Sequence, residues 1–205
     1  MSTLAVFDFD GTLFRSPDAP PGAPEKFYME QESLGPPCVP ESPGPEWWVP
    51  KTVSAAKRAI ADQDTWVMMM TGRADFRFRW RIPELLKQKG LNFDEVYLNP
   101  GMNTGEFKLA RMWETLERYP FIDRVVLWDD KQDLLEKYDS ALSKAGYDVT
   151  THLVTEGSPE PLCSLWDLEK NTSAGPKDRV AKAYAQGRAR KVLASYLEKK
   201  HVRSR

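Results

Sequence analysis

The chain has little of what would tie it to a membrane, a metal–thiolate site or a disulfide framework. No apolar run approaches the ~18 residues that a membrane-spanning helix needs, so no membrane partner is expected. Cysteine occurs twice, at Cys38 and Cys163. Two thiols so far apart in sequence form no metal motif, and the expectation is two reduced cysteines rather than a disulfide. Histidine also occurs twice, and His152 and His201 stand apart from one another, so no metal role follows from them. Met1-Ser2-Thr3 leads straight into an apolar segment. That start leaves no room for a signal peptide, and with reduced thiols it points to the cytoplasm. No internal repeat is visible.

Helix breakers and charge are plentiful but unevenly spread. Nine of the 16 prolines fall between residues 15 and 46. That density excludes a long helix or an inner strand. It reads as a long ordered loop or a minimal cap, with one short helical turn around Lys26–Glu32. Trp47-Trp48 closes the segment, and two adjacent indoles argue that it packs onto the domain. The net charge is −1 over 205 residues, yet from Pro176 onward ten Lys/Arg face only Asp178 and Glu198. This end carries +8 and leaves −9 for residues 1–175. Residues 171–205 therefore read as a basic tail, helical over Lys177–Lys200, with possible nucleic-acid contact.

Between these features, strands and helices alternate, which predicts an α/β domain over residues 1–170 around a parallel sheet. Buried strands are expected at Leu4–Phe7, Thr65–Met70, Glu95–Leu98, Arg124–Trp128 and Asp148–Val154. Helices are expected at about Pro50–Ala61, Phe76–Lys89, Glu106–Arg118 and Lys131–Ala145. Pro83 predicts a kink or split in the second helix, and Gly90 its end. Met68-Met69-Met70 reads as core. Arg77, Arg79 and Arg81 alternate with Phe76, Phe78 and Trp80, and the default reading is solvated charge.

Three strands run into polar clusters: Asp8-Phe9-Asp10-Gly11-Thr12, Thr71-Gly72-Arg73 and Asp129-Asp130. A parallel sheet points all strand C-termini to one edge, so the three clusters should meet there. Crowded carboxylates need a cation, and hard oxygen ligands favour Mg²⁺ with a phosphorylated substrate. Thr71 and the amides of Gly72 and Arg73 offer donors to phosphate oxygens, and Arg73 adds a charged fork. Lys108, at the start of the helix after the third strand, can reach the same edge.

This ordered set resembles the four-motif signature of the haloacid dehalogenase (HAD) superfamily, over about residues 4–138. Phe-Asp-Phe-Asp-Gly-Thr-Leu-Phe, Trp47-Trp48, Thr-Gly-Arg, Leu91-Asn92-Phe93-Asp94 and Phe107-Lys108 are further similar to the phosphatase-like domain of Swiss Army Knife RNA-repair proteins. The Thr-Gly-Arg and Asp-Asp elements also resemble the 3′-phosphatase part of polynucleotide kinase-phosphatases. The resemblance implies a Rossmannoid three-layer sandwich and Mg²⁺-dependent phosphomonoester hydrolysis. It implies Asp8 as nucleophile, Asp10 as general acid and base, and Thr71 and Lys108 as holders of the phosphoryl oxygens. Asp8, the backbone carbonyl of Asp10, and Asp129 would bind Mg²⁺, with Asp130 or Asp133 completing the shell. Thr12, Gly72 and Arg73 would contact substrate.

Only 36 residues separate Thr71 from Lys108, too few for a large folded cap beside a helix and a strand. An open site favours the phosphate ends of RNA or DNA. The alternatives are a small-molecule phosphatase or nucleotidase with residues 15–46 as lid, and a non-catalytic nucleic-acid-binding module.

Overall fold

A computed structural model of the chain describes residues 2–163. The expected basic tail helix lies outside the described residues.

Five parallel strands form one sheet: β1 (Ser2–Asp8), β2 (Thr65–Ala74), β3 (Glu95–Asn99), β4 (Ile122–Asp129) and β5 (Asp148–Leu153). Their order is β3-β2-β1-β4-β5. The central strand β1 pairs with β2 on one side and β4 on the other, with Asp8 opposite Met70 and Phe7 opposite Trp128. A strand buried on both faces must be apolar at every position, and Leu4-Ala5-Val6-Phe7 meets that demand. Ala5 and Phe7, with Val67 and Met69 of β2, face one core. Leu4 and Val6, with Met68 and Met70, face the other. The first core is covered by α1 (Pro50–Ala61), α2 (Asp75–Phe78) and α3 (Arg81–Lys89). The second is covered by α4 (Thr104–Arg118) and α5 (Gln132–Lys144). Helices on both faces make the three-layer α/β architecture.

Local chemistry sets most boundaries close to expectation. The helix predicted over Phe76–Lys89 is split into α2 and α3. Pro83 is the third residue of α3, where its missing N–H costs no intrahelical bond. Gly90 ends α3 in the left-handed conformation, at φ 69°, a region that costs glycine little. α4 begins two residues earlier than expected because the Asn103 side chain accepts from the amides of Gly105 and Glu106.

Residues 15–46 hold three short 3₁₀ turns, at Phe27–Met29, Gln31–Leu34 and Pro45–Trp47, rather than one. The segment is folded onto the domain. Leu34, Val39, Trp47 and Trp48 are buried with the α1–α3 core. Its prolines leave carbonyls that no helix or sheet can satisfy, and arginines take them instead. Arg77 donates to Met29 O at 2.9 Å and pairs with Glu30. Arg81 donates to the carbonyls of Leu34 (2.6 Å), Pro40 (2.8 Å) and Glu41 (2.9 Å). This corrects the reading of Arg77 and Arg81 as solvated charge, since Arg81 is buried. Arg79 alone of the three is exposed, paired with Asp75.

A second correction concerns the cysteines. Cys38 and Cys163 form a disulfide across 125 residues of chain. Phe27 is buried against the pair, and Leu162 N donates to Cys38 O at 2.9 Å. Sequence separation carried no information about this proximity, because the end of the described chain returns to the proline-rich loop. The argument for the cytoplasm from reduced thiols therefore lapses. No helix among the described residues is long and apolar enough to cross a membrane.

Candidate active site

β1 ends at Asp8, β4 ends at Asp129, and Thr71 lies in the last half of β2. All three reach the C-terminal edge of the sheet. Lys108 is the fifth residue of α4. Phe107 beside it is buried, and Gly105 lets the helix approach α5, where an added Cβ would stand 3.1 Å from Leu134 Cδ2. The helix thus directs the Lys108 ammonium beneath the strand ends.

Two clusters result. In the first, Lys108 Nζ donates to Asp8 Oδ1 at 2.6 Å and to Asp129 Oδ2 at 2.7 Å. All three side chains are buried, at 7% exposure or less. Asp129 also accepts from Lys131 N through its other oxygen, at 3.0 Å, so holding the turn ahead of α5 and facing Lys108 are combined in one carboxylate. Asp130, which is exposed, joins them. Ligand oxygens of Asp8, Asp129 and Asp130 lie within 4.8 Å of one another. Gly11 makes room for this approach. It has φ +69°, and a Cβ there would stand 2.8 Å from Asp130 Oδ2. Asp133, the other candidate for the metal shell, is not in this group.

One ammonium against three carboxylates leaves excess negative charge. Burial pushes the Asp8 carboxyl up to about 8, with Lys108 opposing the shift and Asp129 and Asp10 adding to it. Asp130, exposed as a residue but with its carboxyl partly withdrawn from water, rises to about 6, first through that desolvation and then through Asp129. Burial would lower the Lys108 ammonium, but Asp8 and Asp129 outweigh it and hold the charge in place. Three hard oxygen donors with surplus negative charge fit a divalent cation such as Mg²⁺.

The second cluster surrounds Asp10, whose carboxylate stands outside the first. Arg73 Nε lies 3.0 and 3.1 Å from its two oxygens, and Nη2 lies 2.7 Å from Oδ1. Ser16 Oγ donates to it, and Thr71 Oγ1 does so at 3.2 Å. Burial opposes the charge on Asp10, yet Arg73, Ser16 and Thr71 together hold it below the ordinary value. The remaining arm of Arg73 donates to Tyr28 O and Ser33 Oγ in the proline-rich loop. The free phosphate fork expected at Arg73 is thus an internal tie between Asp10 and that loop.

The other expected contact residues fall at this edge with different degrees of freedom. Thr71 is fully buried and also accepts from Arg73 N at 3.1 Å. Gly72 lies against α4, 2.9 Å from Thr104 Oγ1 measured from an added Cβ. Thr12 Oγ1 is buried with no partner among the described residues. Ser16 and Ser33 were absent from the sequence reading, because neither sits in a motif and only the fold of the loop brings them to Asp10 and Arg73. Tyr138 was missed likewise. It lines a small cavity together with Asp8, Lys108 and Asp129, and its hydroxyl is buried with no partner among the described residues.

No curated protein matches the chain. Among solved structures it is similar to the HAD domain of effector protein Lem4 from Legionella pneumophila, an inactive mutant, with 12% identity. That likeness covers 90% of this chain and 98% of the other, with a TM-score of 0.49. Residues 25–163 match the family described as HAD domain family 1 in Swiss Army Knife RNA repair proteins. The match starts beyond β1, so Asp8 and Asp10 rest on their sequence motif and on the geometry of the site rather than on the matched region. It nevertheless spans well over half of the sequence, and on that ground the chain belongs to this family of HAD domains.

Proposed function

We propose that the protein is a Mg²⁺-dependent phosphomonoester hydrolase acting through an aspartyl-phosphate on nucleic-acid ends, most simply a 3′-phosphate. The observation that carries this reading is the buried Lys108 shared by Asp8 and Asp129, with Asp130 beside them at the sheet edge.

Asp8, Asp129 and Asp130 would hold the metal. Bound there, it supplies positive charge that keeps Asp8 ionised and draws electrons from the phosphoryl oxygens. An Asp8 carboxylate oxygen attacks phosphorus and the ester P–O bond breaks. Asp10 gives a proton to the leaving oxygen. Water then attacks the aspartyl-phosphate, its proton returns to Asp10, and phosphate and free Asp8 are released. Lys108 and Thr71 steady the phosphoryl oxygens. Arg73, Ser16 and Thr71 keep Asp10 as the carboxylate, the form that accepts a proton from water. The first half-reaction needs Asp10 protonated, so substrate must loosen the Arg73 pair as it enters.

Asp8→Asn is expected to reduce Mg²⁺-dependent phosphate release by about 10³-fold or more; unchanged release would exclude the covalent route. Substrate class is tested with 3′-phosphate oligonucleotides, 5′-phosphate oligonucleotides and mononucleotides. Mononucleotides turned over as well or better would overturn the nucleic-acid part and favour a nucleotidase. A chain that binds oligonucleotides yet releases no phosphate from any monoester would be a binding module.

A further inference from the structure

A groove of about 460 Å³ runs between α1 and the ends of β4 and β5. Its volume lies in the range of small-ligand sites. It is built against the catalytic edge. Trp128 in its floor directly precedes Asp129, and Val154 N in its rim donates to Asp129 O at 3.0 Å. Val49 in its wall donates to Leu13 O at 3.0 Å, just beyond the Asp10 turn. Glu156 at its mouth pairs with Arg15, the neighbour of Ser16.

Two features give the groove a chemical character. The first is a ladder of stacked rings across the sheet. Phe7 and Trp128 stack at 4.2 Å, and Trp128 and His152 at 4.8 Å. Among the described residues β5 is the edge strand and His152 is exposed, so the ladder ends there on an exposed ring. The second is cationic. Lys51 and Arg58 line the groove from α1, seven residues apart and so on one helix face, about 10 Å from each other. Both are exposed, and neither side chain has an ion pair or hydrogen bond among the described residues. The acid at the mouth, Glu156, is already neutralised by Arg15.

We propose that this groove is a subsite for the nucleotide next to the reacting phosphate of a single-stranded nucleic-acid end. The base extends the Phe7–Trp128–His152 ladder, and Lys51 and Arg58 take backbone phosphates. A nucleotide joins a π-face to an anion, which is the pairing the groove offers. The subsite rests on the nucleic-acid reading above and specifies where the strand lies.

The test uses the full chain with Mg²⁺ and two substrates, para-nitrophenyl phosphate and a 3′-phosphorylated single-stranded decanucleotide. A fluorescent decanucleotide without the terminal phosphate serves for direct binding. His152→Ala and the double variant Lys51→Ala/Arg58→Ala should each raise KM for the decanucleotide about tenfold or more. Turnover of para-nitrophenyl phosphate should stay unchanged. The double variant should also flatten the salt dependence of binding, by about 0.7 in the log–log slope per lost cation. His152→Tyr, which keeps a stacking face, should restore KM.

Decanucleotide turnover with unaltered KM and salt slope in the variants would overturn the subsite and leave the proposed activity standing. Equal loss on both substrates would also overturn it, since the residues would then serve the fold or the reacting centre. Wild-type binding whose salt slope depends on Lys51 and Arg58, without decanucleotide hydrolysis, would support the subsite and overturn the activity.

Discussion

Two carboxylate clusters lie side by side at the sheet edge, and they are neutralised in opposite ways. Around Lys108, one ammonium serves Asp8 and Asp129, with Asp130 adjoining. Around Arg73, one guanidinium serves a single carboxylate, Asp10, which also receives Ser16 and Thr71. Among the described residues the first cluster is short of positive charge, and its oxygens fit a divalent cation. The second is satisfied, and its surplus donors hold the proline-rich loop. Charge balance therefore separates the part of the site built to bind from the part built to position.

The largest effect should come from removing the shared ammonium. Lys108→Met leaves Asp8 and Asp129 buried without their partner, and breaking such a pair costs about 3–5 kcal/mol. Denaturant unfolding in EDTA should show this loss, and excess Mg²⁺ should recover much of it. Equal stability of variant and wild type in EDTA would mean the cluster is not under-neutralised. Next comes the covalent tie on the loop. Replacing Cys38 and Cys163 by Ser should cost about 2–4 kcal/mol and speed proteolysis between residues 17 and 46, while Mg²⁺ binding at Asp8 persists.

Arg73→Ala should follow, at about 2 kcal/mol, below the fully buried case because Asp10 is 30% exposed. Loosening of residues 26–34 under hydrogen exchange would be its signature; unchanged protection there would show that the loop does not depend on Arg73.

The pH dependences of the two clusters have opposite signs. Asp8 is raised from 3.8 to about 8, so the folded chain binds a proton that the unfolded chain releases. Its contribution falls as pH rises from about 4 to 8 without metal, and Mg²⁺ should flatten that slope. Asp10 is lowered. Its pair with Arg73 contributes fully above the unfolded value and is lost as pH falls through the depressed one. The stability gap between wild type and Arg73→Ala should therefore close in acid. A gap constant down to pH 2 would contradict the ion pair.

Much of the first cluster was legible because each member ends a strand or opens a helix, and a parallel sheet sends those ends to one place. Asp8, Lys108 and Asp129 are thus placed by pattern alone. The second cluster was legible only in its motif residues. Ser16, Ser33 and Tyr28 lie in a loop with no periodicity, and the disulfide joins positions 125 residues apart. The arginines after β2 read as surface charge because a helical pattern says which residues share a face, not what lies against it. Arg77 and Arg81 face unpaired carbonyls of the loop.

The sequence by itself determined the alternation of strands and helices and the meeting of Asp8, Asp129 and Asp130. These follow from apolar periodicity and from the parallel sheet that sends strand ends to one edge. Tertiary structure alone decided that Arg73 ties Asp10 to the loop, that Cys38 meets Cys163, and that His152 ends a ladder of rings in the groove lined by Lys51 and Arg58. Each of these depends on how an aperiodic segment folds back or which side chains face across strands, and local pattern does not encode that.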